Sequence, residues 1–525
     1  MVSRREFLIR SAAGLQALAA SAPKAAFSLH HRVAHLADPD AAGYDQPFRP
    51  QFHFSPPKNW MNDPNGLVYY RGEYHLFYQY NPFAESWGHM SWGHAISRDL
   101  VHWRSLPVAL REFNGIMIFS GSAVVDWKNT SGFGAAGNPP LIAVFTGDGH
   151  GKQTQNIAYS TDRGRTWKRY QKNPVIDINE RNFRDPKVFW YEPGNYWVMV
   201  VSLASQHKVR FYASSNLKEW RHLSDFGPAG AKDPPNWECP DLYRLPVRNQ
   251  PGVSKWVLEV GIGDRAAAGG SGGQYFIGEF DGKKFTNDNP AEQVLWVDYG
   301  MDFYAAQTWS DIPSSDGRRI MLGWMDDWKY AGKVPTRPWR GQQSIPRAVT
   351  LKWLPEGIRM LQSPVAELQK LRVERFRAAA QNISGSLDLF AEQNLGETLE
   401  ILAEFEPGSA PEFGLKVRKG ASQETLVGYD VKRSQVFVDR SHSGLVSFSE
   451  SFPGRHSAAL RPENHRVRFH IFLDRCSVEV FANDGCAVIT DLIFPDPAGQ
   501  ALEVYASGGA ARLHSLDVWK LRSAL

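Results

Sequence analysis

The sequence holds only three cysteines in 525 residues. That is too few for the disulfide framework of small secreted domains, so stability has to come from buried cores. Cys476 and Cys486 flank a hairpin turned at Asn483-Asp484-Gly485. Either register of that hairpin sets Cys486 opposite Phe481 or Asn483, which at about 3.3 Å per residue is beyond the reach of a bridge to Cys476. An excess of charge is lacking too: 59 Lys and Arg face 55 Asp and Glu, a net +4 without a basic block, which argues against nucleic acid as a partner. The small-residue apolar run at 11–22 is too short to span a bilayer. Preceded by Arg4-Arg5-Glu6-Phe7-Leu8, it reads as an export signal of the twin-arginine type, with an ordinary secretory signal as the alternative. Signal and linker occupy 1–34, and the mature, exported form is expected to insert in no membrane. Helical periodicity is scarce; only "SPVAELQKLRVERF" at 363–376 has the proline and apolar spacing of a helix. Neither a His-Glu-x-x-His helix nor EF-hand spacing occurs, so neither metal nor cofactor is expected.

What the chain does have is aromatics, 13% of residues with 18 Trp, suited to all-β cores and to stacking on sugar rings. Short runs rich in Val, Tyr, Phe and Trp alternate with Gly, Pro, Asn and Asp throughout. Two repeats run through them. In the first, a Ser-x-Asp or related turn leads to an aromatic at Trp103, Trp167, Trp220 and Phe285, spaced by 53 to 65 residues. In the second, a polar residue opens an apolar strand at Asp63, Ser120, Asp185, Glu238 and Asp302, with the same spacing. Five such units predict an all-β fold, a five-bladed β-propeller over 50–355 followed, after a helical linker at 356–374, by a C-terminal β-sandwich over 375–525. The alternating faces of "LEILAEFEP", "SVEVFA" and "ALEVYAS" suit the sandwich, read as structural support for the propeller, with sugar binding as the other reading.

Taken alone, Asp63-Pro64-Asn65-Gly66 is turn chemistry, as is Arg184-Asp185-Pro186, and Glu238 in "NWECPDL" is an ordinary loop acid. The repeat changes that reading, because the first strand of each propeller blade lies innermost and brings Asp63, Asp185 and Glu238 into one funnel. Clustered carboxylates acquire raised and divergent pKa values, so one can stay protonated while another is ionised. Glycoside cleavage needs that pair of roles. Gly269-Gly270-Ser271-Gly272-Gly273 formally matches a serine nucleophile elbow but lacks the strand before and the helix after, and reads as a flexible loop.

"HFSPPKNWMNDPNGLVYYRGEYHLFYQYNP", "FSGSAVV", "FRDPKVFW", "WECPDLYRL" and "DRCSVEVFANDG" together resemble glycoside hydrolase family 32, the fructan hydrolases and invertases, over about 50–525. The resemblance implies a retaining exo-β-fructosidase acting on levan, inulin or sucrose. It makes Asp63 the nucleophile, Glu238 the general acid and base, and Asp185 the stabiliser of the transition state. It further implies substrate-binding roles for Asn62, Asn65, Gln79, Trp87, Phe119, Ser120, Arg184 and one or both of Trp324 and Trp328. Exo action is suggested by the likeness of 323–347 to exo-acting levanases and inulinases. A fructosyltransferase, an endo-fructanase and a non-catalytic sugar-binding propeller are the alternatives, and the oligomeric state is left open. Cys476 departs from the family, whose members usually have Ser there.

Overall fold

The computed structural model describes residues 44–232 and 236–525; the export signal expected over 1–34 lies outside them. Five antiparallel sheets, each with four strands as its body, follow one another along the chain. Their innermost strands are Asn59–Tyr70, Met117–Val125, Phe183–Tyr191, Trp237–Pro246 and Tyr304–Thr308. Each packs on the next and the fifth on the first, so the sheets close into a propeller. Asn59 and Trp60 pair in parallel with Trp339 and Arg340 to tie the fifth blade to the first. Facing blades share apolar cores, such as Val124, Ile142, Val188 and Met199 between the second and third. At about 1.5–3 kcal/mol per buried side chain, these seams supply the main cohesion of the ring.

The aromatic repeat is the turn into the outer strand of blades one to four. Asp99 accepts from the backbone N–H of Val101 and His102 at 3.2 and 3.0 Å, Asp162 from Thr166 at 2.9 Å, and Asn216 from Lys218 and Glu219 at 3.0 and 2.9 Å. Asp281 does the same for Lys283 and Lys284 at 2.7 Å. An acid or amide that replaces lost backbone partners explains why this residue type recurs there.

The helix expected at 363–376 does not form. Gly357–Pro364 is the outer strand of the fifth blade, Ala366–Leu371 is a 3-10 segment and Arg372–Ala378 is a strand. Val365, Leu368 and Leu371, all buried, are spaced by three, the period of a 3-10 turn rather than an α-helix. The blade therefore takes up residues 357–364 of the expected linker at 356–374. The glycine-rich run is also better ordered than expected. Ser271 is buried and donates to Asp327 through backbone N–H and hydroxyl at 2.6 and 2.8 Å, immediately before strand Gly272–Phe280. A Cβ at Gly270 would lie 2.1 Å from the Asp327 carboxylate, so only glycine permits that approach.

In the sandwich, the 21-residue strand Ala501–Leu521 belongs to both layers. Its first part pairs with Glu412–Lys419 and its second with Leu399–Glu406. Ile401, Phe405, Leu415, Val480 and Val504 fill the core between the layers. Cys239, Cys476 and Cys486 are free thiols, and Ala482 pairs with Ala487 in the hairpin between the last two. No helix among the described residues is long and apolar enough to cross a membrane.

Two fully buried ionic clusters join sandwich and propeller. His53 bonds Asp474 and Glu479 at 2.8 Å each, and Glu479 also receives Arg347 of the fifth blade, which bonds Asp298 at 2.8 Å. Arg440 of the sandwich donates to Asp302 at 2.5 Å and to the Tyr330 hydroxyl at 2.9 Å.

Candidate active site

Every innermost strand is bulged at its entry. Three steps along it face two along its neighbour: Met61 to Pro64, Ile118 to Gly121, Arg184 to Lys187, Glu238 to Asp241 and Tyr304 to Gln307. A bulge leaves a residue unpaired and bends the strand. Pro64, Pro186 and Pro240 fall within or beside these points, where a missing N–H does no harm. Asp63, Ser120 and Asp185 lie inside their bulges, and Arg184, Glu238 and Tyr304 at the edges. The backbone takes a left-handed φ of 66° at Asp185, 48° at Cys239 and 52° at Ala305. At Asp185 this breaks the alternation of faces, so that the adjacent Arg184 and Asp185 both line one cavity.

That cavity encloses about 160 Å³ at one end of the channel, and ten of the twelve side chains expected from the sequence line it. Asp63 accepts from the Ser120 hydroxyl at 2.6 Å and from Asn62 Nδ2 at 3.0 Å. Arg184 donates through Nε and Nη2 to Glu238 Oε1 at 2.9 and 2.8 Å. Gln153 and Asn182 accept from its Nη1 at 3.2 Å, which fixes the guanidinium. The backbone N–H of Cys239 donates to Asp185 Oδ2 at 3.0 Å, and the Cys239 thiol lies 3.5 Å from Asp63 Oδ2 and 3.7 Å from Asp185 Oδ2. The three acids thus converge around Cys239. Gln79 is held by the Ile118 carbonyl at 3.0 Å. Trp87 meets Phe119 edge-on at 6.1 Å, and Trp328 stacks on Trp60 at 6.0 Å.

Two expected residues stand one layer back. Trp324 is fully buried, 4.8 Å from Trp328, and of the pair only Trp328 reaches the cavity. Asn65 is also fully buried and accepts from the Gly121 N–H at 3.2 Å, which joins the first blade to the second beneath Ser120. The sequence reading missed Tyr304, which lines the cavity and donates its hydroxyl to Glu238 Oε2. The signal was available, since Tyr304 opens the fifth inner strand as Glu238 opens the fourth.

Burial raises the pKa of Asp63, opposed by the hydrogen bonds from Ser120 and Asn62 and reinforced by Glu238. Burial raises Asp185 as well, with Arg184 pulling it down and Glu238 and Asp63 pushing it up. The Cys239 thiol and the Tyr304 hydroxyl are held protonated by burial and by the surrounding carboxylates. Among the described residues, no group of His, Cys, Asp or Glu side chains is arranged to hold a metal ion.

Residues 53–364 match the N-terminal domain of glycosyl hydrolases family 32, and residues 367–520 match its C-terminal domain. The chain belongs to family 32. This family 32 chain is 52% identical over 501 residues to a levanase of Bacillus subtilis (strain 168), spanning 94% of this chain and 74% of that protein. It is 41% identical over 520 residues to an extracellular exo-inulinase of Aspergillus awamori, 92% of this chain and 96% of the other. The crystal structure of exo-inulinase from Aspergillus awamori superposes with a TM-score of 0.86 at 40% identity, covering 92% of this chain and all of that one. Like its relatives, the family 32 chain is a glycoside hydrolase with a five-bladed propeller and a C-terminal sandwich.

Proposed function

We propose that the protein is a retaining exo-β-fructosidase that removes terminal fructosyl units from fructans such as levan and inulin, and from sucrose. The observation that carries this is the convergence of Asp63, Asp185 and Glu238 on a cavity of about 160 Å³, scaled to one sugar unit rather than to a length of chain. Asp63, oriented by Ser120 and Asn62, attacks the anomeric carbon. Glu238 gives its proton to the departing glycosidic oxygen, and a fructosyl ester on Asp63 forms. Water then attacks that ester as Glu238 takes back a proton, and the configuration is retained. Asp185, together with Arg184, Asn62 and Gln79, accepts from or donates to the fructose hydroxyls as positive charge develops on the ring. Trp87, Phe119 and Trp328 offer apolar faces to the sugars. Asn65 and Trp324 act from behind, by fixing Ser120 and Trp328.

The extracellular relative supports a secreted protein, exported on this reading by the twin-arginine route. The propeller carries the chemistry, and the sandwich supports it. The test is to incubate the purified protein separately with levan, inulin and sucrose and to follow products by chromatography from the earliest times. Fructose alone is expected from both polymers; early oligosaccharides would contradict exo action. Glu238→Ala is expected to keep substrate binding and lose most turnover, and unchanged turnover would remove Glu238 from its role.

A further inference from the structure

A second cavity, of about 370 Å³, opens at the other end of the propeller channel, with walls from the second to fifth blades. It is separated from the carboxylates by the length of the inner strands: Ser120 and Val125 share one strand and lie about 16 Å apart at 3.3 Å per residue. Lys187, bonded to Asp241 at 2.9 Å and to the Thr308 carbonyl at 2.6 Å, crosses the channel between the two. By the same measure this cavity is more than twice the size of the candidate catalytic one, so it has room for two sugar units where the other has room for one.

Its rim carries an exposed indole held in a fixed orientation. Trp127 is 58% exposed, yet its Nε1 donates to Asp311 at 2.8 Å and its ring meets Tyr70 at 5.8 Å. An exposed Trp fixed in this way offers a flat apolar face at little entropic cost, the surface on which a sugar ring stacks. Lys128 and Arg319 line the cavity beside it and keep donors for hydroxyl groups. The ammonium groups already have carboxylate partners, Lys187 with Asp241 at 2.9 Å and Lys128 with Glu192 at 3.8 Å. Burial raises the carboxyl pKa of Asp311 and Arg319 lies near enough to pull it down, so three of the four cations in the walls, Arg244 being the other, face a carboxylate, which favours a neutral polyol over an anion.

We infer that this cavity is a second, non-catalytic binding site for a neutral fructo-oligosaccharide, with Trp127 as its stacking platform; the choice of sugar rests on the proposed function. Such a site holds one part of a polymer to the protein while chain ends are removed at the opposite end of the channel.

Fluorine NMR of protein labelled with 5-fluorotryptophan, in the Glu238→Ala background, tests this with the trisaccharide 1-kestose as probe. The Trp127 resonance, assigned by its loss in Trp127→Gln, is expected to move saturably, and to do so as well when Trp328→Ala is added. Movement of the Trp87 or Trp328 resonance without Trp127 would overturn the second site and leave the substrate reading intact. No movement of any of the three would overturn both. In the otherwise unaltered enzyme, Trp127→Gln keeps a donor for Asp311 and should leave sucrose turnover unchanged. Its retention on levan should fall about fivefold, in line with the loss of one aromatic contact; retention equal to the parent would count against the site.

Discussion

The cluster around His53 makes the joint between sandwich and propeller sensitive to pH. Desolvation alone would lower the pKa of this fully buried ring, but hydrogen bonds and charge from Asp474 and Glu479 outweigh it and raise the pKa from about 6.5 to about 9. At about 1.4 kcal/mol per tenfold change in proton affinity, the protonated ring contributes about 3 kcal/mol to the folded state. Because the folded pKa is the raised one, that contribution is complete below pH 6.5, where folded and unfolded chains both hold the proton. It declines between 6.5 and 9 and is gone above 9. His53→Gln retains a neutral donor and acceptor but cannot carry the charge. Denaturant unfolding from pH 6 to pH 10 should therefore show the parent more stable than His53→Gln at pH 6, with the gap narrowing by about 3 kcal/mol by pH 10. Comparing the two proteins cancels the titration of groups that His53 does not touch. A gap that stays constant across the range would refute the reasoning, since it would mean that His53 is neutral in the fold.

At the candidate active site, Ser120→Ala removes a hydrogen bond to an ionised carboxylate, worth about 1.5–3 kcal/mol, and should lower kcat/KM on inulin about 10- to 100-fold. Since that bond favours ionised Asp63, the acid limb of the pH–rate profile should also move to higher pH, as initial rates across a pH series would show. Tyr304→Phe takes away the donor to Glu238 and should reduce kcat about tenfold with KM little changed, in the same assay. Trp328→Ala should act the other way, raising KM about fivefold with a smaller effect on kcat.

The propeller was legible because its turns repeat a chemistry that sequence displays: the acids and amides at Asp99, Asp162, Asn216 and Asp281 cap backbone N–H groups in four blades. The carboxylates were legible through the second repeat, which marks strand entry. Hidden from the sequence was the bulge at each entry, since an extra residue in a strand leaves no mark on the pattern of residue types. That is why the shared cavity of Arg184 and Asp185 could not be foreseen from an alternating strand; Tyr304 was marked by its place at strand entry, though not by its residue type. Trp324 and Trp328 look equivalent in sequence; both pack on Trp60, at 6.2 and 6.0 Å, but Trp324 is fully buried while Trp328 is partly exposed and faces the cavity. The 3-10 segment at Ala366–Leu371 was misread because buried leucines three apart also fit one face of an α-helix.

The sandwich has a closer relation to the candidate site than support implies. Asp302, bonded to Arg440 of the sandwich and to the Tyr330 hydroxyl, lies two residues before Tyr304, the donor to Glu238. Tyr330 lies two residues after Trp328, which lines the cavity. One buried guanidinium therefore holds both the start of the fifth inner strand and the loop that carries the outer aromatic. Cys476 adds to the same grip: its thiol donates to Gln342 at 3.1 Å, and Gln342 reaches Met325 Sδ at 2.9 Å, within the segment that bears Trp324 and Trp328. A propeller separated from its sandwich would keep Asp63, Asp185 and Glu238 on their own strands but would lose the groups that set Tyr304 and Trp328. The two domains thus both contribute to the candidate site, with the acids supplied by the channel and part of their surroundings held from outside it.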